Sequence, residues 1–178
     1  CTAYTSWLAL PWAIKPIWSP FIEIFKTKRW WILTMQALMG IALALIAFTI
    51  PTHYYVQASL ALFFLIAFSS ATHDIAADGF YMTALNEHDQ AQYVGIRSTF
   101  YKLATIFTEG LLLMYIGSWE VITKNVTDAW SIGLGTIAGL LMLMTVYHLC
   151  TLPKTEYNAH DDQHHLSIKE AAKEFGTT

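Results

Sequence analysis

Ser69-Ser70-Ala71-Thr72-His73-Asp74-Ile75-Ala76-Ala77-Asp78-Gly79-Phe80-Tyr81 follows directly on the apolar run Leu60 to Phe68. A helix that begins in that run carries two carboxylates and a histidine into the membrane. There a charge costs several kcal/mol unless it is paired or hydrated. Asp74 and Asp78 are four residues apart and share a helical face with Ser70 and Tyr81, which makes a polar stripe on an otherwise apolar rod.

Composition sets the class to which that rod belongs. Hydrophobic residues make up 55% of the 178-residue chain, charged residues 13%, and the mean hydropathy is +0.41, a balance that favours a membrane protein over a soluble domain. A hydrocarbon core of about 30 Å needs about 20 apolar residues per helix. The expected fold class is therefore an all-α membrane protein of about five transmembrane helices, spans 4–21, 32–50, 56–85, 93–116 and 129–152. Seven Trp and nine Tyr suit a chain with two membrane interfaces. A net charge of −3 with no basic stripe speaks against a nucleic-acid partner. Cys1 and Cys150 belong to no metal-ligand or redox spacing and read as unpaired thiols. With no initiator Met or complete first span ahead of Cys1, the chain reads as part of a longer protein.

Span 4–21 carries Pro11, Pro16 and Pro20 around Lys15. Proline inside a membrane helix frees backbone carbonyls and is tolerated where neighbours or a water-filled cavity satisfy them. Lys15 then either faces a cavity or extends its stem to place the ammonium at the interface, and both readings stand. The short connection Glu23 to Trp31 holds Lys26, Lys28 and Arg29, which marks the cytoplasmic side. On the same assignment Arg97, Lys102, Lys154, Lys169 and Lys173 also lie at that side, against Lys124 alone in the outer loop. Span 56–85 exceeds the hydrocarbon thickness, which puts Asp78 nearer the inner mouth than Asp74.

In span 93–116, Arg97, Tyr101, Thr105 and Glu109 fall at steps of four and form a second polar stripe, with Lys102 close to it. Arg97 is expected to pair with Asp78 on the inner side, leaving Asp74 deeper and without an obvious partner. An unpaired carboxylate beside a movable cation can take up and release a proton, so Asp74 is the first candidate for coupling or solute contact. Asp78, Arg97, Glu109 and Lys15 are the others. In span 129–152 the pair Gly135 and Gly139 would let another helix approach closely. Residues 153–178 read as a cytoplasmic segment in which Ser167 to Glu170 forms a capping box opening a short helix. His160-Asp161-Asp162-Gln163-His164-His165 has metal-ligand residue types but no second cluster to close a coordination shell, so no metal is expected. Nucleophile-elbow, zinc-helix, phosphate-loop and dinucleotide motifs are absent, which removes the minimal parts of a membrane hydrolase, zinc protease or ATPase.

Leu8 to Pro20 followed by Glu23 and a Lys/Arg cluster, then Ser70 to Asp78, then Gly95-Ile96-Arg97, resembles the AmpG-like muropeptide permeases of the major facilitator superfamily. Acetyl-CoA transporters of that superfamily are a related possibility. The resemblance implies the second to sixth helices of a twelve-helix transporter, with the first helix missing and the tail opening the central cytoplasmic loop. It also implies that Glu23, Lys28 and Arg29 form a gating loop, with Glu23 where the superfamily usually has Asp. The partners so implied are the lipid bilayer, the missing first helix, the C-terminal half of the same protein and a small polar solute. No cofactor is expected beyond protons as coupling ion, and the location is a bacterial inner membrane. A non-transporting scaffold, or the membrane domain of an enzyme, is the competing expectation.

Overall fold

A computed structural model describes residues 7–153. Those residues are helical almost throughout. A 3-10 turn, Trp7–Ala9, leads into α1 (Leu10–Ala13), α2 (Lys15–Ile24), α3 (Lys28–Thr49), α4 (Tyr55–Ala84) and α5 (Glu87–Ile106). A π-helical segment, Phe107–Leu112, then joins α5 to α6 (Leu113–Thr123), and α7 (Val126–Thr151) ends the described chain. Among the described residues there is no strand.

Four stretches are long and apolar enough to cross a membrane: α3, α4, the continuous helix His88–Thr123, and α7. They fall on the expected spans 32–50, 56–85, 93–116 and 129–152. The expected first span is different. Pro16 has no amide hydrogen for the carbonyl of Trp12, and the helix breaks two residues earlier at Ile14, whose ψ of 6° leaves the helical range. Two pieces of four and ten residues replace the single rod, and neither alone spans about 30 Å. Lys15 thereby becomes the first residue of α2.

The connections that open α3, α5 and α7 are short and capped by side chains. Lys26 turns with φ of 65°, and the Thr27 hydroxyl accepts from the Trp30 amide at 3.2 Å to start α3. Asn86 caps α5 by accepting from the Asp89 amide at 2.9 Å. Asn125, the first residue of an Asn-x-Thr triplet, caps α7 from the Thr127 amide and donates to Asp128. Its side chain is thus occupied in starting a helix.

α3 lies at the centre, packed against α4 on one side and α7 on the other, while α2 lies on α4 and α6 on α7. Ile22, Ile32, Ile75 and Ala76 form a buried cluster where α2, α3 and α4 meet, closed over by Trp18, Trp31 and Phe80. Small residues set the close approaches. A Cβ at Gly40 would meet the Sδ of Met142 at 2.9 Å, and one at Gly133 would meet the Cγ1 and Cδ1 of the buried Ile116. The expected close-packing pair Gly135 and Gly139 instead faces open space among the described residues. Gly133 lies two residues before Gly135, and a step of two rotates about 200° around a helix, so the contact surface of α7 toward α6 is on the other side.

By contrast, α5 is loosely held. Only 6% of the apolar window of His88–Thr123 is buried, against 33% for α3.

Gly133→Val should lower the thermal stability of the whole protein in detergent by about 1–3 kcal/mol, because Ile116 is enclosed and cannot yield. Gly40→Ala should cost less, since only the end of the flexible Met142 side chain has to move. Equal losses at the two positions would contradict this packing.

Candidate functional site

Asp74 and Asp78 project from one face of α4, and each is reached by two cations. Lys15 Nζ donates to Asp74 Oδ2 at 2.5 Å and stands 3.9 Å from Asp78 Oδ2. Arg97 donates through Nη1 to Asp78 Oδ1 and through Nη2 to Asp74 Oδ1. The planar guanidinium fork thus bridges the two carboxylates on one side while the ammonium closes the other. Two positive and two negative charges balance. The pairing expected between Arg97 and Asp78 exists as part of this larger group.

Three helices supply the four residues, and each does so at a similar depth. Lys15 is nine residues before the end of α2 at Ile24, Asp74 ten before the end of α4 at Ala84, and Arg97 ten after the start of α5 at Glu87. At about 1.5 Å per residue, each lies about 14–15 Å along its helix from the end marked by the Phe25–Thr27 turn. Lys15, Asp74 and Arg97 are therefore set back from the helix ends by a similar distance, with Asp78 one turn nearer the end of α4. Lys15 is held there by Asp74 and by the Trp12 ring, whose centre is 5.5 Å from Nζ. Its ammonium is thus directed to the carboxylates of α4.

This geometry corrects the expectation for Asp74. The break at Ile14 brings Lys15 against it, and Arg97 reaches past Asp78 to it as well. Two cations therefore stand against the one carboxylate. Asp74 thus has two partners where none was expected.

The remaining residues separate into two groups. Lys28 lays its stem across Gly79, where a Cβ would meet Cε at 2.8 Å, and Arg29 Nη2 donates to the Leu149 carbonyl at 2.7 Å. Both tie the start of α3 to its neighbours, α4 and the last turn of α7. The side chain of Glu23 and the residues 154–178, which include the histidine-rich tract and the capping box, lie outside the described set. On α5, Tyr101 and Lys102 are exposed, Thr105 returns its hydroxyl to the Tyr101 carbonyl at 3.0 Å, and Glu109 sits in the π-helical segment. The stripe does not bring Glu109 to the cluster.

A buried polar contact adds to the site. Gln36, 6% exposed, places Oε1 2.8 Å from His148 Nδ1, linking α3 to α7. The available signal was a lone Gln in the apolar run of α3. Its partner is 112 residues away, and no spacing rule pairs them. At the opposite end of the bundle a cavity of about 490 Å³ opens between α3, α4 and α7, lined by Ile46, Phe63, Trp130 and Leu134. Its lining is mostly apolar and it is remote from the charges. Among the described residues no group of three or more potential metal ligands occurs.

The sequence matches the model of the Major Facilitator Superfamily over residues 2–177. The chain belongs to that family. It is an integral membrane protein, and the family is one of transporters. Similar proteins include an uncharacterized protein of Haemophilus influenzae, 31% identical over 121 residues, or 64% of this chain and 28% of the relative. The anhydromuropeptide permease of Escherichia coli K12 is 31% identical over 111 residues, 59% of this chain and 22% of the permease. An uncharacterized protein of Schizosaccharomyces pombe is 28% identical over 113 residues, 55% of this chain and 22% of the relative. The chain spans about a quarter of the length of these relatives. No solved structure matches it.

For this superfamily member, Arg97→Gln should destabilise the whole protein by about 1–3 kcal/mol by leaving two carboxylates to one ammonium. Adding Asp78→Asn should restore part of that loss, with a coupling of about 0.5–3 kcal/mol in a double-mutant cycle in detergent. Strict additivity would contradict the cluster.

Proposed function

We propose that the whole protein is a secondary transporter that moves a polar, anionic solute by alternating access, coupled to protons, in a bacterial inner membrane. Its substrate class on this reading is a sugar-peptide of the muropeptide type. The observation that carries the reading is the balanced cluster Lys15–Asp74–Asp78–Arg97, which joins three helices in a chain of this superfamily. The permease-named relative supports the substrate class.

The cluster suits such a solute through exchange of partners. Arg97 is its most exposed member, at 42% of the side chain, while Asp74 is at 23%. A solute carboxylate can approach the guanidinium and compete with Asp78, and the bidentate fork holds either partner with little change in its own charge. Once Arg97 turns to the solute, α5 loses its strongest tie to α4. A helix with so little buried surface is then free to shift. Transport by rocking of repeats around a midplane site requires this kind of switchable contact.

The excess of Lys and Arg at the Phe25–Thr27 end supports placing that end, and residues 153–178, in the cytoplasm. Lys28 and Arg29 are then part of a cytoplasmic hinge in which Glu23 also takes part.

Reconstitution of the whole protein in lipid vesicles tests this reading. Labelled anhydromuropeptide should accumulate under a proton gradient, and a protonophore should abolish the accumulation. Arg97→Gln should reduce the rate about tenfold or more, as expected for loss of one charge-assisted contact. Uptake insensitive to the protonophore would refute the coupling, and no uptake would refute the substrate class.

A further inference from the structure

Glu109 is the carboxylate for which the cluster has no use. Of the carboxylates with described side chains, Asp74 and Asp78 are paired in the cluster, and Asp128 receives a hydrogen bond from Asn125. Asp89 lies in the first turn of α5, and Glu120 is three residues from the end of α6. Glu109 alone lies far from both ends of its helix and without a partner. It is 22 residues after Glu87 and 14 before Thr123, about 33 and 21 Å along the axis. Among the described residues no hydrogen bond or ion pair reaches its carboxylate.

The backbone is distorted at the same place. Phe107–Leu112 winds as a π-helix, with Glu109 in its first turn. Such a segment inserts an extra residue into the turn, shifts the register of the side chains beyond it, and occurs mostly at functional positions. Two hydroxyls on the N-terminal side of Glu109 are committed to the backbone, Thr105 to the Tyr101 carbonyl at 3.0 Å and Thr108 to the Ala104 carbonyl at 2.8 Å. Neither is left to neutralise Glu109.

The charged and titratable groups around it are few. On its own helix Lys102 is two turns away and Tyr101 is eight residues away. On α6 the Tyr115 hydroxyl is engaged with Thr136 Oγ1 at 3.2 Å, and Glu120 is near the far end. On α7, which packs on α6, Asp128 is at the first turn and Tyr147 and His148 are near the opposite end. A carboxylate that stands without a partner in hydrocarbon costs several kcal/mol as an ion.

We propose that Glu109 is a proton-binding site of this protein, loaded and unloaded from the polar stripe Thr105–Tyr101–Arg97 that runs from it toward the four-charge cluster. The inference rests on the reading of a proton-coupled transporter for its purpose, but the site can be tested without any transported solute. On this proposal the proton is exchanged at Glu109, while Asp74 and Asp78 keep their contacts with Lys15 and Arg97. Over the twelve residues between Arg97 and Glu109 the stripe covers about 18 Å.

Dicyclohexylcarbodiimide, an apolar reagent that adds to protonated carboxyls within membranes, reports on this directly. The whole protein in lipid vesicles is treated over a range of pH, and the modified residue is located by peptide mass spectrometry. Glu109 should be labelled at acid pH, and the label should fall about tenfold per pH unit once the group ionises. Glu109→Gln should remove the label, and Asp74→Asn should leave it. An unlabelled Glu109, or one labelled equally at all pH, would overturn the site. Either result would leave the transporter reading to the uptake measurement.

Discussion

A charge placed in hydrocarbon has to be neutralised, and in this chain that requirement decides which helices stand together. Asp74 and Asp78 cannot be left alone on α4 at their depth without a cost of several kcal/mol. Lys15 and Arg97 meet that requirement from α2, which also packs on α4, and from α5, which is otherwise loosely held. Lateral association of helices in lipid lacks the hydrophobic drive available in water, so polar contacts and close steric fit carry more of the specificity. The cluster supplies the polar contacts. Gly40, Gly79 and Gly133 supply the fit on α3, α4 and α7.

The two devices divide the bundle into a firm part and a loose part. α3, α4 and α7 are held by apolar surface, by glycine contacts, and by the buried link from Gln36 to His148. α5 is held at one end by its short turn from α4, where Gln90 donates to the Met82 and Leu85 carbonyls and Tyr81 lies against Tyr93. At its middle Arg97 is the main tie. An element fixed by a few charge-assisted bonds and little buried area is suited to move when those bonds find another partner. The firm core gives such a motion a fixed frame.

Much of this organisation was legible in the sequence, because periodicity and hydropathy report on single helices. The face shared by Asp74 and Asp78, the four long spans and the partnership of Arg97 with Asp78 all follow from spacing within one helix or the turn to the next. What was not legible depends on geometry between distant segments. Lys15 reaches Asp74 only because Pro16 breaks the helix at Ile14, and sequence alone left its direction open. Gly135 and Gly139 have the familiar spacing for a close approach, yet the contact falls at Gly133 because rotation of α7 is set by all its neighbours together. The link between Gln36 and His148 joins residues 112 apart, with no local pattern to announce it. Glu109 was visible as a polar position, but the π-helical turn that sets it apart has no signature in its residue types.

The central claim is that Arg97, through Asp74 and Asp78, fixes the middle of α5 against the rest of the bundle. Electron paramagnetic resonance distances in the whole protein in lipid nanodiscs test it most directly. With Cys1 and Cys150 replaced by Ser, spin labels at the exposed positions Ile41 on α3 and Phe100 on α5 report the separation of the two helices. The distribution should be narrow in the parent protein and should broaden or split with Arg97→Gln. A distribution unchanged by that substitution would show that the ion cluster does not hold α5, and would contradict the account.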